Sequence, residues 1–226
     1  PKGGGGPAVG AFGCSEDLVP YLPGPIVEER EGVFTLRDPG NHSLGKVREY
    51  MGNLQQVMKA YGWTRAMGID GLSEAADISV VLNNYMEKKL LRIRGVSRSH
   101  PDIDGWRLEM TRYSLQELFE DTGVTIADVQ SRMVDYGVDA FWMAHEPWIV
   151  PHPFTPETGE MWSLEDVDYW IDVLAKVCEE AYTDPELVRT APHNQAIQKV
   201  LADKLDDPDQ WAMTWRAWKR KRGGST

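Results

Sequence analysis

Four consecutive glycines, Gly3, Gly4, Gly5 and Gly6, are the first residues of this chain that could take part in chemistry. Glycine accepts positive φ at little steric cost and lets another backbone or an anion come close, so the run has two readings. In one, its amides face a phosphate or a carboxylate, as in other glycine-rich anion sites. In the other, it is a close-packed connection inside a fold. A second candidate is HEPWIVPH, which carries His145, Glu146 and His152. It lacks the two histidines a helical turn apart that make a zinc motif compelling, and Pro147 and Pro151 preclude a helix. The stretch reads as a loop lining the mouth of a site, and no metal site is expected. Trp106, Trp142, Trp148 and Trp162 read as core or interface residues rather than a substrate platform.

Such residues need elements to hold them. AVGAFGCS, residues 8–15, reads as a short buried strand that LVPYLPGP ends with turn residues. IVEEREGVFTLR alternates on both sides of Glu31 and Gly32 and predicts a hairpin. From about Asn53 the spacing turns helical: Leu54, Val57, Met58 and Tyr61, then Leu72, Ala75, Ala76, Ser79, Val80, Asn83 and Met86. This predicts two consecutive helices, a natural bridge between domains. LRIRGV and GWRLEMTRY read as strands, and Ser114 with Glu117 three residues on predicts a capping box and a short helix. Thr125 caps a further helix that Gly137 ends, VDAFWMA reads as a strand, and Ser163 caps a long helix to about Tyr182. Two packed layers follow, so the region from about 92 to 185 is expected to be a small α/β domain.

Composition bounds what this can do. The 226 residues are 42% hydrophobic and 26% charged, enough for a sizeable core in one large domain or parts of two. A net charge of −11 argues against nucleic acid as a main partner. The tail WRAWKRKRGG is basic and aromatic, and reads as a disordered or docked terminus. Cys14 and Cys178 are too few and too far apart for a disulfide framework, so a reducing compartment fits. The apolar runs are too short to span a bilayer, no leader is evident, and the cytoplasm is the default expectation.

Specific stretches carry a resemblance. GGGGPAVGAFGCSEDLVPYLPGPIV, SLGKVREYMGNLQQVMKAYGWTRAMGIDGLSEAADISVVLNNYM, DVQSRMVDYG and EEAYTDPELVRTAPH resemble the pyridoxal-phosphate-dependent P-protein of the glycine cleavage system, glycine dehydrogenase (decarboxylating), in its two-subunit bacterial form. The likeness covers most of residues 3–195. It implies an α/β fold, the C-terminal part of a fold-type I pyridoxal enzyme. Residues 1–50 would be a remnant of the large domain with an edge of its sheet, 51–91 the bridging helices, 92–185 the small domain and 186–226 a tail.

The resemblance also implies site residues. In the family a lysine holds the cofactor as a Schiff base a few residues before the glycine run, in a stretch like H-K-T-F-x-x-P-H-G-G-G-G-P. Pro1 and Lys2 align with its P-H, so that lysine is expected upstream of Pro1, and no catalytic residue is assigned to this chain. Lys2 itself reads as a surface or turn lysine. The cofactor-binding residues implied here are Gly3, Gly4, Gly5, Gly6, Gly52 and Asn53. The YMGN stretch, with Tyr50, would open the helix after the large domain, where amides and Asn53 could meet an anion of this or a neighbouring active site. The alternative for Asn53 is a plain N-cap. Implied partners are the remaining large-domain polypeptide, a homologous second subunit, the lipoyl H-protein and a small amino-acid substrate, in an oligomer.

Departures from the family pattern cluster in the small domain. Its His-Glu-Phe strand is Trp106, Arg107 and Leu108 here, and the histidine of its Y-G-F-H is Asp139. Its proline-rich strand and Glu-Pro-Thr element are replaced by FWMAHEPWIVPHPFTPETGE. A carboxylate in place of an imidazole reverses the charge preference and cannot carry the same proton at neutral pH. Three readings follow: a glycine-decarboxylating P-protein subunit, a divergent pyridoxal enzyme for another amino acid, or a non-catalytic assembly subunit.

Overall fold

The computed structural model describes residues 9–48, 52–139, 141, 143–144, 148–159, 161–196, 215 and 218–219. The chain divides into two compact units, Pro1–Ala75 and Ala76–Thr226.

In the first unit, β1 (Ile26–Arg30) and β2 (Val33–Arg37) form the expected antiparallel hairpin. Glu31 and Gly32 both take positive φ, 51° and 78°, so the turn twists with its strands as a two-residue hairpin requires. The buried strand expected over residues 8–15 is not formed. Residues 9–15 have no regular structure, and Phe12 is 81% exposed. A lone extended segment cannot satisfy its own backbone groups, and none of the described strands pairs with it. A 3-10 helix, Glu16–Tyr21, follows instead.

Helix α1 (Leu54–Leu90) contains the two helices the spacing predicts. They meet at Gly68, whose φ of 66° and ψ of −178° suit only glycine. Its residues from Ala76 onward belong to the second unit.

The second unit has a small antiparallel sheet, β3 (Ser97–Arg98), β4 (Tyr113–Ser114) and β5 (Pro153–Phe154), in the order β3-β4-β5. Around it stand α2 (Gln116–Thr122), α3 (Ile126–Asp135), α4 (Leu164–Thr183) and α5 (Pro185–Arg189). The apolar face of α4 (Val167, Trp170, Leu174, Val177, Cys178, Ala181) joins Leu82, Met86 and Leu90 of α1 with Leu118, Val129, Met133 and Phe154 in one core. Each large side chain buried there stabilises the fold by about 1.5–3 kcal/mol.

Local signals act as expected at Thr125 and Ser163. Each hydroxyl accepts from the amide three residues on, and Asp128 and Asp166 return the bond in full capping boxes. Ser114 behaves differently. The N-cap of α2 is Leu115, without a side-chain cap bond, and Ser114 Oγ donates to the Pro151 carbonyl while accepting from Gln116 N–H. LRIRGV makes turns rather than a strand, and of GWRLEMTRY only Tyr113 lies in a strand, with Met110 in an isolated bridge to Glu157. VDAFWMA reduces, among the described residues, to a bridge from Met143 to Phe154.

Candidate functional site

Gly52 and Asn53 stand at the start of α1, as their sequence suggests. Asn53 is the N-cap by its backbone, because its carbonyl accepts from the Gln56 and Val57 amides at 3.1 and 3.2 Å. Gly52 takes a φ of 84°, and a Cβ there would come within 2.9 Å of Arg48 Cδ. Glycine is therefore required twice over, by conformation and by the close approach of a side chain.

That side chain is the residue the sequence reading missed. The Arg48 guanidinium donates to the Gly24 carbonyl at 3.3 Å and to the Pro25 carbonyl at 2.8 Å. Next to it Ser43 Oγ donates to Leu22 C=O, and Gly24 N–H donates to Gly45 C=O. Residues 38–48 are thus stitched to residues 21–25, and a cation is held against Gly52. An arginine inside a quoted motif was the available signal, but its acceptors lie 23 and 24 residues upstream. The positive end of a helix beside a fixed guanidinium favours an anion. Gly3, Gly4, Gly5 and Gly6, with Lys2 and Tyr50, lie outside the described residues.

In the second unit the proline-rich loop partly lines a cleft of about 400 Å³ with Trp148, Ile149, Met110, Met143 and Arg112. His152 is not in its lining. The ring is buried, stacked 4.3 Å from Phe119 and tilted 5.2 Å from Trp148, and its Nδ1 accepts from the Ile126 amide at 3.4 Å. Burial pushes this imidazole below the ordinary 6.5, so it is neutral at pH 7. His152 therefore closes the N-terminus of α3 as an acceptor. His145, Glu146 and Trp142 lie outside the described residues. Among the described residues, no three His, Cys, Asp or Glu side chains group to hold a metal ion.

Trp106 is exposed, with Lys88 Nζ 5.3 Å over its ring, while Trp148 and Trp162 are half-buried against the core. Asp139 is exposed beside the start of α4, in a smaller cleft with Trp162 and Tyr169. From the basic tail, Trp215 and Trp218 stack 4.6 Å apart.

Buried polar groups do structural work elsewhere. Arg132 reaches Glu180 at 2.8 Å and Asp135 at 2.9 Å, and Tyr136 O–H donates to Glu180. Burial works to raise the Glu180 carboxyl, but Arg132 and Tyr136 more than offset it and hold it below its ordinary value. Burial likewise opposes ionisation of Asp135, and the Asn194 and His193 amides with Arg132 overcome it.

No model of a known protein family matches the sequence. Comparison with individual proteins is more informative. "Probable glycine dehydrogenase (decarboxylating) subunit 2" of Pyrococcus furiosus is 36% identical over 221 residues, 97% of this chain and 43% of the relative. The protein of the same description in Thermotoga maritima is 32% identical over 200 residues, 88% of this chain and 41% of the relative. The chain is a relative of glycine dehydrogenase (decarboxylating) subunit 2. It spans less than half the length of these relatives. Among solved structures, glycine decarboxylase (P-protein) of the glycine cleavage system, in inhibitor-bound form, superposes with a TM-score of 0.59 at 19% identity. The match covers 78% of this chain and 40% of the other, and it shows a shared fold. The α/β class expected from the glycine dehydrogenase resemblance is the class found, and the fold is shared with part of that longer structure. No described helix is long and apolar enough to cross a membrane.

Proposed function

We propose that this chain is the C-terminal part of a pyridoxal-phosphate-dependent glycine dehydrogenase (decarboxylating) and works with the remaining large-domain polypeptide. One observation carries the reading: similarity to subunit 2 of that enzyme runs through 97% of the chain. The "subunit 2" in that description supports a homologous partner subunit.

The residues at the start of α1 fit an anionic group. Gly52 and Asn53, with the glycines Gly3, Gly4, Gly5 and Gly6, would hold the cofactor phosphate, and Arg48, shortly before Gly52 in the chain, is tied to the Gly24 and Pro25 carbonyls. When bound, pyridoxal phosphate supplies an electron sink for the pair left as a bond at the substrate α-carbon breaks. The lysine that binds it would precede the glycine run, as the family pattern implies. What the described residues here do is position: Arg48 and Ser43 hold residues 38–48 against residues 21–25.

A second reading is favoured by Asp139 and by the altered loop, which change charge and shape where the family keeps a histidine. In it the enzyme acts on another amino acid. The test is exchange of labelled bicarbonate into glycine by the complete polypeptide set with lipoyl H-protein as the acceptor. Exchange that needs every component supports the glycine reading. Absence of exchange, together with cofactor spectral changes on adding a different amino acid, replaces it with the second.

A further inference from the structure

Asp139 stands on a cleft of about 310 Å³ between the end of α3 and the start of α4. Its walls are aromatic: Trp162, Tyr169 and Trp170 line it with Asp139, Asp166 and Met161. Those walls are held in place. Trp170 is 3% exposed and stacks 6.0 Å from Phe141, and the Tyr169 hydroxyl donates to the Tyr136 carbonyl. Asp166 is fixed by the amide and hydroxyl of Ser163, which also hold its carboxyl below the ordinary carboxylate value.

The charged side chains described in the cleft have one sign. No lysine, arginine or histidine lines it among the described residues, and Asp139 makes no hydrogen bond or ion pair with any of them. The ten-residue α3 ends at this rim, so its partial negative charge adds to the two carboxylates. The opposing N-terminal end of α4 is already answered by its capping box and by Glu165 and Asp166 in its first turn.

Ring faces attract cations through their quadrupole, and the attraction grows where the cation carries apolar substituents that rings can cover. A carboxylate on the ligand would be repelled by Asp139 and Asp166. We infer that this cleft binds the alkylammonium group of a small organic cation, with Asp139 as the charge partner and Trp162 and Tyr169 as the walls. The cleft lies at the small end of ligand-pocket volumes, which suits a compact headgroup. A zwitterionic amino acid is a poor fit, which sets this site apart in chemistry from the function proposed above.

Tetramethylammonium chloride is the probe, titrated into the full chain against sodium chloride at matched ionic strength. Saturation-transfer NMR of its methyl signal reads binding. Saturable binding is expected, unaffected by glycine at the same concentration. Asp139→Asn should weaken it about tenfold, the size of one lost charge contact at a partly exposed site. Asp139→Glu should retain it, and Trp162→Leu should weaken it without touching the carboxylates. Asp139 is exposed and unbonded among the described residues, so the Asn variant is expected to keep its far-UV circular dichroism. Non-saturable binding, equal affinity in Asp139→Asn, or displacement by glycine would overturn the inference.

Discussion

The two units use their apolar residues in opposite ways. From Ala76 onward the chain completes a core: every buried hydrophobic cluster member lies between Leu82 and Val188. In the unit up to Ala75, Leu54, Val57, Met58 and Tyr61 lie exposed along one stripe of α1, and Phe34 on the hairpin is 69% exposed. That unit is held instead by hydrogen bonds, with Arg48 and Ser43 reaching back to residues 22–25. A stripe at helical spacing is built to be covered, and among the described residues Leu54, Val57, Met58 and Tyr61 stay exposed.

The largest effects should separate the units by stability. Leu174→Ala, fully buried, is expected to cost about 2–5 kcal/mol in urea unfolding of the full chain. Met58→Ala in the same assay should stay within about 0.5 kcal/mol. Equal costs would break the contrast, because the α1 stripe would then be covered in solution. Glu180→Ala is expected to cost about 3 kcal/mol, since it leaves the Arg132 guanidinium buried without its main partner. A change near zero there would mean that water reaches Arg132.

Gly52→Ala sharpens the contrast from the other side. Positive φ and the 2.9 Å approach to Arg48 should together cost about 1–3 kcal/mol. The effect should appear as faster amide hydrogen exchange in residues 21–48, with the core from Leu82 onward unchanged. Loss of protection in both units would show them to unfold as one.

The smallest effect is a dependence on pH. The His152 pKa is lower folded than unfolded, so the unfolded chain binds the proton first, and stability is full above pH 6.5 and declines as pH falls below it. His152→Gln should flatten that decline. Asp135 and Glu180 work in a lower window: their contribution is present above the ordinary carboxylate values and is lost as pH falls through their depressed ones. A wild-type curve flat from pH 7 to about 5 would place His152 in contact with water.

How far the sequence could be read depended on whether a signal was local. Glu31 and Gly32 announce a hairpin, Thr125 and Ser163 announce helix starts, and all act within four residues of themselves. The strand expected in GWRLEMTRY failed because its partners are not strands. The Asn84 amide accepts from Arg107 N–H at 3.0 Å and donates to Arg107 C=O at 2.7 Å, and Asn83 donates to the Leu108 carbonyl at 2.8 Å. Helix side chains thus satisfy groups that a ladder would have used, which no alternation of apolar residues reveals. At the candidate site, Gly52 and Asn53 were legible as the entry to a helix. Arg48 was not, because its acceptors come from a distant stretch of chain.

The two asparagines have a mechanical consequence. A strand held by a ladder can slide by a register, but the backbone of Arg107 is keyed to one amide on α1, as a cog is keyed to its shaft. Any turn or axial slip of that part of the helix must carry Arg107 and Leu108 along or break three hydrogen bonds at once.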